Sequence, residues 1–170
     1  LSADWSEDPK RLLFVLSRYK FVAKMLDEKQ DVLEVGCGDA WASRIVKQTV
    51  KNLTVSDFDP LFIDDAKSRN DNDWPLTYLV HDMTKNPTEK KFDAIYLMDV
   101  FEHIEPKNEE KFLSNICKSL NQSGVVIIGI PSVESQVFAS PESIEGHVNC
   151  KTGEDFKALM AKYFEHVFLF

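Results

Sequence analysis

From Asp31 to Ile128 the chain alternates short apolar runs with segments of helical spacing, and that alternation constrains its fold more than any single residue. Asp31–Val35 is a nearly continuous apolar run, the form taken by a strand buried on both faces. Residues 53–56, 76–80 and 92–98 repeat the pattern, and residues 125–128 are the most strongly β-branched stretch of the chain. Between and around them the spacing predicts helices. The first covers 9–27, with Leu12, Val15, Leu16, Tyr19, Val22, Ala23 and Leu26 in phase and Pro9 in its opening turn. Others are expected over 41–50, 60–69 and 107–120, with Asn121-Gln122-Ser123-Gly124 breaking the last of these. A helix over 152–164, with Thr152 as N-cap, and a strand over 167–170 close the chain.

Strand and helix in alternation imply an α/β layered fold with a mostly parallel sheet. Residues 131–149 are the exception, polar and without period. A loop that long in a compact domain is functional or disordered. It follows the strongest strand, which puts it at the carboxyl edge of the sheet, where such folds bind ligands.

Bulk composition excludes several classes. A length of 170 residues suits one domain, here taken as 1–170. No apolar run reaches the roughly 20 residues that a membrane-spanning helix requires. The net charge is −8 and the sequence pI about 5.0. Lysines are scattered, and Lys10-Arg11 and Lys90-Lys91 are too short to form a phosphate-binding track, so a nucleic-acid partner is disfavoured. Cys37, Cys117 and Cys150 form no CxxC pair and are odd in number, so neither a disulfide framework nor a metal site is expected. A reducing cytoplasm is the simplest home. The opening at Leu1, with no basic-then-apolar leader, suggests a processed or trimmed chain.

Gly36 and Gly38 directly follow the first strand and precede a helix. Glycine lets backbone turn sharply and approach a ligand, and the helix beyond offers free N–H groups. A plain tight turn would look the same. Asp57, however, ends the second strand about 20 residues on, where an acid grips ribose hydroxyls in nucleotide-binding α/β folds. A dinucleotide fingerprint would have its third glycine at position 41. That position is Trp41, too bulky for the close helix–strand approach the third glycine permits, which disfavours an NAD-type oxidoreductase. Glu34, Asp57, Asp82 and Asp99 are all expected at carboxyl ends of strands and should converge on one crevice.

Five stretches then resemble one family in the right order. These are Val32-Leu33-Glu34-Val35-Gly36-Cys37-Gly38-Asp39-Ala40, Val55-Ser56-Asp57-Phe58-Asp59-Pro60, His81-Asp82-Met83, the run from Phe92 through Glu102-His103-Ile104, and Leu120-Asn121-Gln122-Ser123-Gly124-Val125-Val126. Together they resemble the class I methyltransferases that use S-adenosylmethionine (SAM) and release S-adenosylhomocysteine. Two positions depart from the family pattern, Ala40 and Ser123, where glycine is commoner. The resemblance implies a Rossmann-like, doubly wound sheet of order 3-2-1-4-5-(7)-6. Its seventh strand is missing here because the chain stops within the sixth, which suggests a truncated chain, a larger parent chain or a homo-oligomer.

By the same resemblance Gly36, Cys37 and Gly38, with Glu34 beside them, line the methionine portion. Asp57 holds the ribose, Phe58 flanks the adenine, and Asp82 and Met83 frame it. The Met98-Asp99 backbone takes the ammonium group. Arg18 either pairs the methionine carboxylate, as in some relatives, or is a surface residue of the first helix. SAM carries a sulfonium and an ammonium but no phosphate, so a site of acids and backbone carbonyls suits it. For the acceptor side, His147 in the long loop is a candidate base, or an exposed loop histidine. His103 is a second candidate, or a helix-capping element. His81 and His166 read as structural or solvated, and Trp41 and Trp74 as packing. No amino-methylating DNA signature follows the fourth strand, where Met98-Asp99-Val100-Phe101 stands. The pattern is most similar to small-molecule methyltransferases, with a non-catalytic SAM-binding module of a larger protein as the alternative.

Overall fold

Asp8 begins the first helix by accepting a hydrogen bond from the Arg11 N–H at 3.0 Å, and Pro9 fits the first turn because it has no N–H to leave unpaired. This helix is α1 (Pro9–Met25). The computed structural model describes residues 8–70 and 72–170, so the opening at Leu1 lies outside them. The remaining elements are β1 (Asp31–Val35), α2 (Ser43–Lys47), β2 (Asn52–Asp57), α3 (Pro60–Ser68), β3 (Thr77–Val80), β4 (Phe92–Met98), α4 (Glu109–Ser119), β5 (Leu120–Gly129), α5 (Pro141–Gly146) and α6 (Gly153–Met160). Short 3-10 turns lie at Phe101–His103, Pro106–Asn108 and Val133–Phe138.

The strands form one parallel sheet in the order β3-β2-β1-β4-β5. Successive side chains on a strand face opposite ways, and both faces are covered. Val32, Ala94 and Tyr96 join Val22, Leu26, Val46 and Ile63 in a layer built on α1, α2 and α3. Leu33, Val35, Ile95 and Leu97 join Phe112, Leu113, Ile116, Phe156 and Met160 in the opposite layer, on α4 and α6. The fold is therefore the doubly wound class I methyltransferase arrangement. The order in which strands are added reverses between β1 and β4, and the crevice at that switch point is where such sheets receive ligands.

Four local expectations need correction. The helix expected over 41–50 shrinks to Ser43–Lys47, because the glycine loop occupies its start and the Thr49 hydroxyl bonds the Val46 and Ala23 carbonyls at its end. The break expected at 121–124 is instead part of β5. Leu120 pairs with Phe92 and is buried, and the register then shifts past Phe92 and Ala94. Residues 131–149 are not an open loop: Ser132 and Ser140 cap the turn at Val133–Phe138 and helix α5. Finally, residues 167–170 form no strand. Val167 packs into the second core layer, and the Phe170 ring meets Phe21 at 5.2 Å.

Candidate cofactor and acceptor site

The loop after β1 is fixed by its own backbone. The N–H groups of Gly36 and Cys37 both donate to the Ser56 carbonyl of β2, at 2.8 and 3.0 Å. Gly36 has φ +72° and Gly38 φ +53°, the region that glycine enters without steric cost. A Cβ at Gly36 would also run into Val100. Ala40, where the family pattern prefers glycine, has φ +55°, which explains that preference.

Beneath the loop, Glu34 is 1% exposed, and its carboxylate accepts from Tyr19 and Tyr96, each at 2.7 Å. Burial holds its pKa above the ordinary carboxylate value, and the phenol hydrogen bonds work in the other direction. The Cys37 thiol is also pushed up, by burial first and then by the Glu34 and Asp57 charges, so it is no nucleophile at neutral pH.

The other strand ends bring the remaining acids to the same edge. Asp57, nearly buried, accepts from the Gly38 N–H and from the Asp59 N–H, both at 3.0 Å, so one carboxylate ties the ends of β1 and β2 together. Phe58 beside it is 72% exposed, an aromatic face without a cover. Asp82, after β3, accepts from the Thr84 backbone and hydroxyl and pairs with Lys85. Burial alone would raise its pKa, but these partners outweigh burial and lower it. Met83 turns its side chain into the second core layer, and its carbonyl accepts from Asn115 at 2.8 Å. Met98 packs partly into the first layer.

Asp99 has φ +55°, a strained setting for a non-glycine residue, and Arg18 of α1 grips its carboxylate at 2.7 and 2.6 Å. Arg18 also lies against Gly129 at the end of β5, so α1 reaches across the ends of β4 and β5.

The segment beyond β5 folds back onto the turn after β4. The Asn149 N–H donates to the Glu102 carbonyl, and His103 Nδ1 pairs with the Gly146 carbonyl, both at 2.9 Å. These bonds bring His147 beside His103, with ring centroids 5.2 Å apart. Glu102 itself is wholly buried, and burial, helped by the Asp99 charge, pushes its carboxyl up to about 7. Sequence reasoning passed over Glu102. The Glu-His pair after a strand was the visible signal, but only the fold brings His147 to it.

The sequence pattern of the methyltransferase domain family matches residues 33–128, more than half of the chain. The chain belongs to that family. This methyltransferase domain is similar to the ubiquinone biosynthesis O-methyltransferase of Rickettsia bellii (strain OSU 85-389), 26% identical over 129 residues that cover 71% of this chain and 50% of the relative. The Rickettsia canadensis enzyme of the same description is 25% identical over 126 residues, again 71% and 50%. The chain thus spans about half the length of these curated relatives. Among solved structures, the N-methyltransferase NodS from Bradyrhizobium japonicum WM9 superposes with a TM-score of 0.71 at 20% identity, covering 92% of this chain and 83% of that one. An S-adenosylmethionine-dependent methyltransferase from Clostridium acetobutylicum superposes at 0.63 and 20% identity, covering 70% and 52%. At such identities these likenesses establish the fold. Among the described residues no helix is long and apolar enough to cross a membrane.

Proposed function

We propose that this domain binds SAM at the carboxyl edge of the sheet and transfers its methyl group to a small-molecule acceptor. The observation that carries the reading is the placement of the glycine loop and three acids, Asp57, Asp82 and Asp99, at consecutive strand ends around the switch point. SAM supplies a methyl group already activated on a sulfonium. A site for it needs carboxylates and backbone carbonyls, and these residues fit that need. Gly36, Cys37 and Gly38 would line the methionine portion, with Glu34 bracing the loop from below. Asp57 would meet the ribose, Phe58 and the Asp82-Met83 backbone the adenine, and Met98-Asp99 the ammonium. Arg18, now on Asp99, would pair the methionine carboxylate.

In-line displacement on an activated carbon asks mainly for alignment and a dry site, worth up to roughly 7–11 kcal/mol for well-oriented reactants. The acceptor side would be formed by His103, His147 and the segment 133–148, whose exposed Val137 and Phe138 suit an apolar acceptor body. The similar proteins include an O- and an N-methyltransferase, both within this reaction class. Titration calorimetry with SAM and NAD in parallel tests the reading. SAM should bind and NAD should not, and Asp57→Ala should weaken SAM at least tenfold. Absence of SAM binding, or undiminished binding by the variant, refutes it. Transfer of labelled methyl to a metabolite extract then separates the enzyme from a module that only binds SAM.

A further inference from the structure

Glu102 poses a problem that the cofactor site does not solve. The residue is wholly buried, yet neither carboxylate oxygen has a hydrogen-bond partner. An uncompensated buried carboxylate costs several kcal/mol, and proteins keep such groups paired or bound to metal. One donor atom each from Glu102, His103 and His147 lie within 4.8 Å of one another.

The two imidazoles are prepared for the same task. The Gly146 carbonyl can only accept, so His103 Nδ1 carries the proton, at 2.9 Å. Gln136 Oε1 likewise accepts from His147 Nδ1 at 2.8 Å. Each ring therefore leaves Nε2 as the nitrogen available to a ligand. A hydrogen bond from the far nitrogen to a carbonyl is the usual support of a metal-ligating histidine. The supports are themselves anchored. The Asn149 N–H holds the Glu102 carbonyl, and the Asn149 side chain and Lys151 hold Glu109 at 3.1 and 2.8 Å.

We propose that Glu102, His103 and His147 form a binding site for a divalent transition-metal ion of the zinc class. Two imidazoles and one carboxylate suit such an ion better than magnesium or calcium, which favour all-oxygen shells. Zinc–nitrogen bonds of about 2.0–2.1 Å set ligand atoms roughly 3–3.4 Å apart, so from a spread of 4.8 Å the three groups need close by at most roughly 1.4–1.8 Å. Three protein ligands leave a position open for water or for an acceptor oxygen. Metal binding is independent of the SAM reading. Only its use in catalysis rests on that reading.

The test is uptake of Co²⁺ by the metal-free full chain, followed by its visible d–d bands and by displacement with Zn²⁺. One equivalent per chain is expected, without a thiolate charge-transfer band. His147→Gln and Glu102→Gln should each weaken it at least tenfold. Glu102→Gln removes a buried unpaired charge, so without metal it should melt no lower than wild type, while Zn²⁺ should raise the melting temperature of wild type only. Uptake unchanged in both variants, a thiolate band implicating a cysteine, or no uptake overturns the site. SAM calorimetry on the same samples keeps the two readings apart, because SAM binding without Co²⁺ uptake overturns the metal site alone.

Discussion

Two glycines two residues apart are held by different constraints. Gly36 combines φ +72° with a Cβ position inside Val100, whereas Gly38 at φ +53° has nothing within 4 Å of its Cβ position. A left-handed alanine costs ~1–2 kcal/mol, and forcing a methyl into packed side chains adds ~1–3 kcal/mol. Gly36→Ala should therefore lose ~2–5 kcal/mol in urea unfolding and SAM binding with it. Gly38→Ala should lose only ~1–2 kcal/mol, yet its methyl enters the open space proposed for SAM, so affinity should drop more than tenfold in a folded protein. Equal stability losses in the two variants would contradict this division. Glu34 gives a second contrast. Leucine there orphans the Tyr19 and Tyr96 hydroxyls, at ~1–3 kcal/mol each, whereas glutamine keeps partners for both. The folded pKa of Glu34 is raised, so its proton favours the fold. That contribution is complete below the unfolded carboxylate value of ~4.3 and is lost as pH rises through the folded one. Wild type should accordingly lose stability relative to Glu34→Gln as pH rises from 4.5 to 8, measured by unfolding at each pH.

At the scale of elements, the buried parallel strands were the most legible part of the sequence. β1 and β4 fall where their apolar runs lie, because a strand covered on both faces has no polar side to blur its ends. The acids at the sheet edge were legible for a related reason: in a parallel sheet every strand ends at the same edge, so Asp57 and Asp99 could be placed there from sequence alone. What escaped depended on contacts between distant segments. The residues at 121–124 look like a turn, but Leu120 pairing with Phe92 holds them in β5. The turn at Val133–Phe138 and α5 are too short to show a period, and Glu102 meets His147 only after the chain folds back. Helix α1 adds a prediction. Its Arg18–Asp99 pair is partly exposed, at 18% and 46%, so it contributes little to stability, about 0–1 kcal/mol. Its position against Gly129 and over the strand ends suits the binding role proposed for it above. Arg18→Ala should melt within a few degrees of wild type while its Kd for SAM rises about tenfold. Lysine should restore only part of that, lacking the planar fork. A variant that unfolds early but binds SAM normally would contradict the assignment.

For the whole molecule, the acids that gather at the sheet edge predict a charge-dependent response to ligands. With a net charge of −8 and carboxylates at the ends of β2, β3 and β4, the edge repels polyanions. A pyrophosphate cofactor would meet that charge, whereas SAM carries a sulfonium and an ammonium group. A ligand bound only by the folded state stabilises by mass action, about 2.7 kcal/mol at a hundredfold excess over its Kd. A domain of this size shifts its melting temperature by roughly 2–4 °C per kcal/mol. SAM at that excess should raise Tm by roughly 5–10 °C, and NAD at the same concentration by none. Asp57 serves both the loop and the proposed ribose contact, so Asp57→Asn separates the two roles. The amide oxygen can accept from only one of the Gly38 and Asp59 N–H groups, so the ligand-free Tm should fall by a few degrees, while weaker ribose contact cuts the SAM shift to less than half. A full shift in Asp57→Asn, or an equal shift with NAD, would show that the acids at the strand ends do not form the cofactor site.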